Sequence, residues 1–364
     1  MSDSITKRDI QEAVARRIID EKQGIGFINL IRKRNGFLHS IKEKDESFEM
    51  FRGFGEIHIA LGLVIFLLGI GLLPSSGENI FFIPVLVIFL SWLFSHYFTL
   101  KRRMKLPSMM LASVFAFSLV DFMAVVSKEV LDKNDLFSSV NFLALGLIGV
   151  LGMGLYFYKF RLPFAIFILG LFGFVVMMST AHMIDGRNVL EFSFSILFDL
   201  RESAVFAFGS LFFGLLAFSF GIYFDIKDPY RVSRFSQTGF WMHVLAAPLI
   251  VNTFLSTAYN IGGTLGNLLS FFLFGIIAFI SLVIDRRSFL TAGLGYLTVI
   301  VWSAMKYLAP DLNFVMTMII LGVVVTALGS WWGHLRTWIM LLLPEFPLKG
   351  RLPPCGYQFN QACS

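Results

Sequence analysis

Charge is scarce in this chain: only 15% of its 364 residues are Asp, Glu, Lys or Arg, against roughly 25% in soluble domains. With 56% hydrophobic residues and a mean hydropathy of +0.75, a soluble fold of this size would have nowhere to put its apolar surface. Cysteine is nearly absent too. The two that occur, Cys355 and Cys363, lie in the extreme C-terminal tail. A cytoplasmic tail would keep them as thiols, and without a nearby histidine they make a weak metal motif. A Gly-rich phosphate loop, HExxH, GxSxG and CxxC are all missing, and no internal repeat stands out. An enzyme built on any of those motifs is therefore excluded. Residues 1–55 are polar and hold no apolar h-region beside the basic start, so no signal peptide is expected and the first membrane helix should act as its own insertion signal.

Long apolar runs are what the chain has instead, and Phe, with 43 residues, is prominent in them. That suits lipid-facing and packing positions, which carry no polar group needing a partner. A membrane-crossing helix needs roughly 20 apolar residues for a core of about 30 Å. Ten runs meet or approach this: Ile57 to Leu73, Ile80 to Leu100, Pro107 to Val126, Val140 to Tyr158, Leu162 to Met183, Ser203 to Phe224, Phe240 to Tyr259, Leu268 to Ile284, Phe289 to Leu308 and Phe314 to Ile339. The predicted fold class is an all-α polytopic transmembrane bundle of about ten spans. It divides into a cytoplasmic helical N-terminal segment (1–55), the bundle (56–340) and a proline-containing cytoplasmic tail (341–364).

Basic residues give the orientation. With the N-terminus inside, 25 of the 30 Lys and Arg face the cytoplasm, and only Lys128, Lys133, Arg187, Arg201 and Lys306 face outward. This bias is the positive-inside pattern and predicts both termini in the cytoplasm. A missed or invented helix would scramble it. In the N-terminal segment Ile10, Val14 and Ile18 recur at helical spacing, and Phe27, Ile28 and Ile31 mark a second short helix. Its basic run Arg32-Lys33-Arg34 suits either anionic headgroups or water. The outer segment from Asp185 to Glu202 is too apolar for a free loop, which predicts an interfacial or re-entrant helix, or a cap over the bundle.

Ionisable groups inside a membrane are costly and point to function. Asp121 lies well within the third run. His58, His96, His243 and His334 all fall near the cytoplasmic ends of their spans, a depth at which imidazoles form a relay or metal site if their helices meet. The densest polar stretch, Asp225 to Arg234 with Asp228-Pro229 starting a turn, leads into a span where Pro248 frees a carbonyl one turn earlier and Asn252 and Thr253 follow one turn later. Such a break lines a cavity or bends a helix. The Trp331-Trp332-Gly333-His334-Leu335-Arg336 end of the last span reads as a headgroup anchor.

Several of these segments, Ile18 to Gln23, Phe51 to Phe54, Asp228-Pro229-Tyr230-Arg231, Phe240-Trp241-Met242-His243-Val244-Leu245-Ala246-Ala247-Pro248-Leu249-Ile250-Val251 and Leu352-Pro353-Pro354, carry a resemblance. The chain resembles a family of bacterial multi-pass inner-membrane proteins with an N-terminal helical hairpin, grouped as a domain of unknown function. The resemblance implies an inner-membrane location and supplies no reaction or ligand residues.

The leading functional expectation is a transporter-like or channel-like protein for a small solute or ion, with Asp121, His243 and Asn252 on the ligand or proton pathway. His58, His96, His334, Asp225 and Asp228 would form a cytoplasmic-side polar cluster. A membrane-embedded scaffold, assembly factor or sensor is the alternative, and an intramembrane enzyme comes last. No catalytic residue and no cofactor is expected, and the metal question stays open. The expected partners are the lipid bilayer and a protein recruited by the basic N-terminal segment, without nucleic acid.

Overall fold

The computed structural model describes residues 7–16, 18–20, 23, 24, 26–28, 53–73, 80–131, 139–186, 193–229, 231, 233–344, 349, 352 and 353. Among them every regular element is helical, so the fold is an all-α polytopic bundle. In chain order the α-helices are α1 (Lys7–Ala15), α2 (Phe54–Gly71), α3 (Phe82–Ser95), α4 (Lys105–Val126), α5 (Ser139–Phe160), α6 (Pro163–Asp185), α7 (Phe194–Phe198), α8 (Ala204–Lys227), α9 (Arg234–Tyr259), α10 (Gly263–Ile284), α11 (Ser288–Leu308), α12 (Asn313–Ser330) and α13 (Trp332–Leu342). The π-helical turns His96–Lys101 and Ser127–Leu131 prolong α3 and α4. Ten of these helices, all but α1, α7 and α13, are long and apolar enough to cross a membrane, as the apolar runs predict.

Three local differences from the sequence-based boundaries matter. Helix α9 begins at Arg234, six residues before the apolar run, because Ser233 caps it: its Oγ accepts from Phe235 N at 3.1 Å. Helix α8 runs on to Lys227 and so carries Asp225 in its last turn. The last run, expected to be continuous to Ile339, breaks at Trp331 into α12 and α13. A Gly329-Ser330 pair at that point loosens the helix.

The chain divides into two compact units. One holds Met1–Glu46, Phe198–Glu202 and Gly214–Ser364; the other holds Ser47–Leu197 and Ser203–Phe213. In the second, α5 and α6 form a tightly paired hairpin. A Cβ at Gly149 would sit 2.1 Å from the Phe172 ring, so only glycine permits that approach, which is how small residues drive helix association in lipid. Trp92, Phe115, Tyr156 and Phe160 form its aromatic centre, with ring centroids 4.5 to 5.9 Å apart. Within that centre Ser95 Oγ and Tyr156 OH share a buried 2.7 Å hydrogen bond. Of the segment from Asp185 to Glu202, residues 187–192 lie outside the described residues; the described part holds the five-residue α7, whose Ile196 and Leu197 pack on Met178, Ala181 and Phe206.

In the first unit α9 is the most enclosed of the ten long helices and packs on α10 and α11. Its far end is held by buried Asp199, which accepts from Asn260 Nδ2 at 2.7 Å and from Arg201 N at 2.9 Å. At the N-terminus Ile10, Val14 and Ile28 form a small cluster of their own, while Ile18 is exposed. Ile31, Arg32, Lys33 and Arg34 lie outside the described residues, as do Cys355 and Cys363.

Candidate functional site

The residues singled out in the sequence are divided between the two units. Asp121 is exposed on α4 in the second unit. His58 and His96 are exposed in that unit as well, with a ring nitrogen of His58 2.9 Å from the Phe54 carbonyl oxygen of its own helix. His334 is exposed on α13, and Asn252 is half-buried on α9. Nine residues separate Asn252 from His243 on that helix, or about 13 Å of helical rise. Among the described residues no group of three or more His, Cys, Asp or Glu is placed to hold a metal ion.

His243 and Asp225 do meet, and they meet around a residue that sequence reasoning counted only as an orientation charge. His243, on the third turn of α9, is fully buried, with its Nε2 2.9 Å from Asp225 Oδ2 on the last turn of α8. Arg286 enters from the short turn between α10 and α11. Its Nε donates to Asp225 Oδ2 at 3.1 Å and its Nη2 makes a close ion pair with Oδ1, a two-pronged fork on one carboxylate. Asp225 and Arg286 are 5% and 2% exposed. An isolated charge at that depth would be prohibitive. The carboxylate and guanidinium cancel, so a neutral imidazole leaves the set at zero net charge.

A carboxylate held by a guanidinium fork is acceptor-only, so the hydrogen on the His243 side of the 2.9 Å contact belongs to Nε2. In the neutral imidazole Nδ1 then holds the lone pair. It is buried and accepts from no group among the described residues. Phe218 and Phe289 wall the imidazole, with centroids 5.5 and 5.9 Å from it. Two glycines set the closeness of α8 and α9. A Cβ at Gly221 would lie 2.7 to 2.9 Å from three atoms of the His243 ring, and one at Gly239 would lie 2.5 Å from Asp225 Oδ1.

The turn that supplies Arg286 also supplies a second hub. Asp285 ends α10 in a left-handed conformation, φ 57°, which aims its side chain at other partners than Arg286 meets. It pairs with Arg231 at 2.9 Å, accepts from Trp332 Nε1 at 2.8 Å and has Arg336 Nε at 3.8 Å. Arg336 in turn donates to the Pro353 carbonyl, and Gln11 of α1 donates to the Arg231 carbonyl at 2.9 Å. Trp332 and Arg336 are thus buried partners of Asp285, whereas Trp331 and Trp338 are exposed. Buried Asp228 accepts from Ser233 N and Oγ at 2.6 and 2.8 Å and so fixes the entry into α9.

No protein-family model matches this chain, and neither does any curated protein or solved structure. The chemistry of the site therefore rests on its geometry. The set can accept one proton, at His243 Nδ1, and doing so turns a neutral buried group into one with a net positive charge. In a low-dielectric interior that charge has to be relieved by movement or by a counter-ion.

Proposed function

We propose that this integral membrane protein is transporter-like, moves a small solute or ion across a bacterial inner membrane with both termini in the cytoplasm, and uses Asp225, His243 and Arg286 as its proton-responsive element. The observation that carries the reading is a buried carboxylate, guanidinium and imidazole between membrane helices, with one ring nitrogen that has no hydrogen-bond partner among the described residues, since intramembrane ionisable groups mark proton and ion pathways. Pro248, one turn and a half beyond His243, lies in the same enclosed helix, where a missing backbone hydrogen bond permits the two halves of α9 to change angle. Orientation is supported by the 25 basic residues on the assigned cytoplasmic side, and the inner membrane by the resemblance described above. Asp121 and Asn252 are not needed for this step.

The test is charge movement in vesicles containing the purified full chain, read on a supported membrane while the outside solution is switched across pH steps and a panel of ions and small metabolites. Wild type should give solute-dependent currents that His243→Ala and Asp225→Asn both abolish. Currents that are absent for every solute, or unchanged in both variants, would refute it. A scaffold is the second reading, favoured by the docking of α1 onto Arg231 through Gln11. It predicts a stoichiometric partner lost on deleting residues 1–46, with no effect of His243→Ala.

A further inference from the structure

We infer that two adjacent turns of the second unit form a binding surface for anionic phospholipid headgroups. The first joins α3 and its π turn to α4 and carries Lys101, Arg102, Arg103 and Lys105; the second joins α5 to α6 and carries Lys159 and Arg161. The two lie side by side, because Trp92 packs on Phe160 at 4.9 Å and Ser95 bonds Tyr156 just behind them. All six cations except the half-buried Lys105 are exposed. Neither stretch, 96–108 or 156–165, contains an acidic residue. Glu56, whose carboxylate comes to this end at 3.5 Å from Leu106 N, is itself buried.

The turns share a construction that simple solvation does not require. Each passes through an arginine in the left-handed region, Arg103 and Arg161, both at φ 52°, a conformation that L side chains adopt at a cost and that persists where the surroundings impose it. Each also lays a guanidinium against an exposed tyrosine. Arg102 is 5.8 Å from the Tyr97 ring centroid and bonds its OH through Nε at 3.1 Å; Arg161 is 5.5 Å from the Tyr158 centroid and bonds that residue's carbonyl through Nε at 3.2 Å. Fixing Nε leaves the two Nη groups of each fork for a phosphodiester, which guanidinium planes recognise with two parallel hydrogen bonds. The tyrosine rings stand where membrane-crossing helices end, the position at which amphipathic rings meet lipid headgroups. A free phosphate offers nothing to those rings, so the lipid is the occupant that uses the whole surface.

The test uses the full chain in neutral detergent and counts bound lipid by native mass spectrometry. Phosphatidylglycerol, phosphatidylcholine and inorganic phosphate are titrated separately. Phosphatidylglycerol should bind preferentially, and Arg102→Gln with Arg161→Gln should weaken it on the order of tenfold or more, at about fivefold per cation near a membrane surface. Lys128→Gln with Lys306→Gln, the same charge change on outward-facing positions, should leave it unchanged. If the arginine pair fails to fold by circular dichroism, Lys101→Gln with Lys159→Gln serves in its place and should weaken binding by a similar factor. The inference is overturned if phosphatidylcholine binds as well, if inorganic phosphate competes equally, if the outward-facing pair loses as much, or if neither inward-facing pair has an effect.

Discussion

Gly221 faces His243 so closely that a methyl group there would lie 2.7 Å from Cε1 and 2.8 Å from Nε2 of the imidazole. The glycine is what lets α8 bring Asp225 onto the ring. Gly221→Ala should therefore destabilise by about 1–3 kcal/mol, the usual range for overpacking. With His243→Ala the obstructing ring is gone, and the same Gly221→Ala should become neutral or stabilising by up to about 1 kcal/mol through helix propensity. Equilibrium unfolding of the four proteins in detergent reads this change of sign directly. Additive effects would mean that the ring and the glycine do not touch.

The ten spans were legible because length and apolarity alone determine them, and no tertiary fact is needed. The faces of the spans were not. A helix in lipid is apolar all round, so the amphipathic stripe that would reveal a buried side in water is missing. That is why four histidines at a common depth looked alike in sequence, while only His243 is enclosed. Arg286 was hidden for a related reason: at the end of a span it reads as a positive-inside charge. Its one distinguishing signal is the acid beside it, Asp285, in a turn of very few residues between two apolar helices. The polar start of α9 was missed because Arg234, Ser236, Gln237 and Thr238 look like loop, yet Ser233 caps them into helix.

Breaking the ion set from one side should cost far more than removing it. Asp225→Ala leaves Arg286 buried without its counter-charge, and a loss of about 3–5 kcal/mol is expected. Arg286→Met in the same chain removes the stranded charge and should recover most of that loss. Chemical denaturation of the single and double variants makes the comparison. A double variant no more stable than Asp225→Ala would show that the guanidinium is solvated in the native protein.

Asp121 provides a contrast. It is exposed on α4 and lies outside the set of Asp225, His243 and Arg286, so Asp121→Asn should leave the vesicle currents intact. A loss of current on that change, with stability unaltered, would return Asp121 to the pathway and shift the site away from His243.

Asp285 combines two demands that different substitutions separate. Its backbone is left-handed, and its carboxylate serves Arg231 and Trp332. Asn tolerates the left-handed region and still accepts from the indole, whereas Ala does neither, and an ordinary side chain in that conformation costs roughly 1–2 kcal/mol. Asp285→Asn should thus lose only the charge pairing with Arg231 and Arg336, and Asp285→Ala should be less stable than Asp285→Asn by at least about 1 kcal/mol. Because Arg286 is the next residue, a shift of this turn also moves the fork on Asp225. Asp285→Ala should therefore reduce the vesicle current more than Asp285→Asn does, although neither side chain touches His243. Thermal midpoints and currents measured on the same preparations decide it: equal currents in the two variants would show that the turn and the buried ion set are uncoupled.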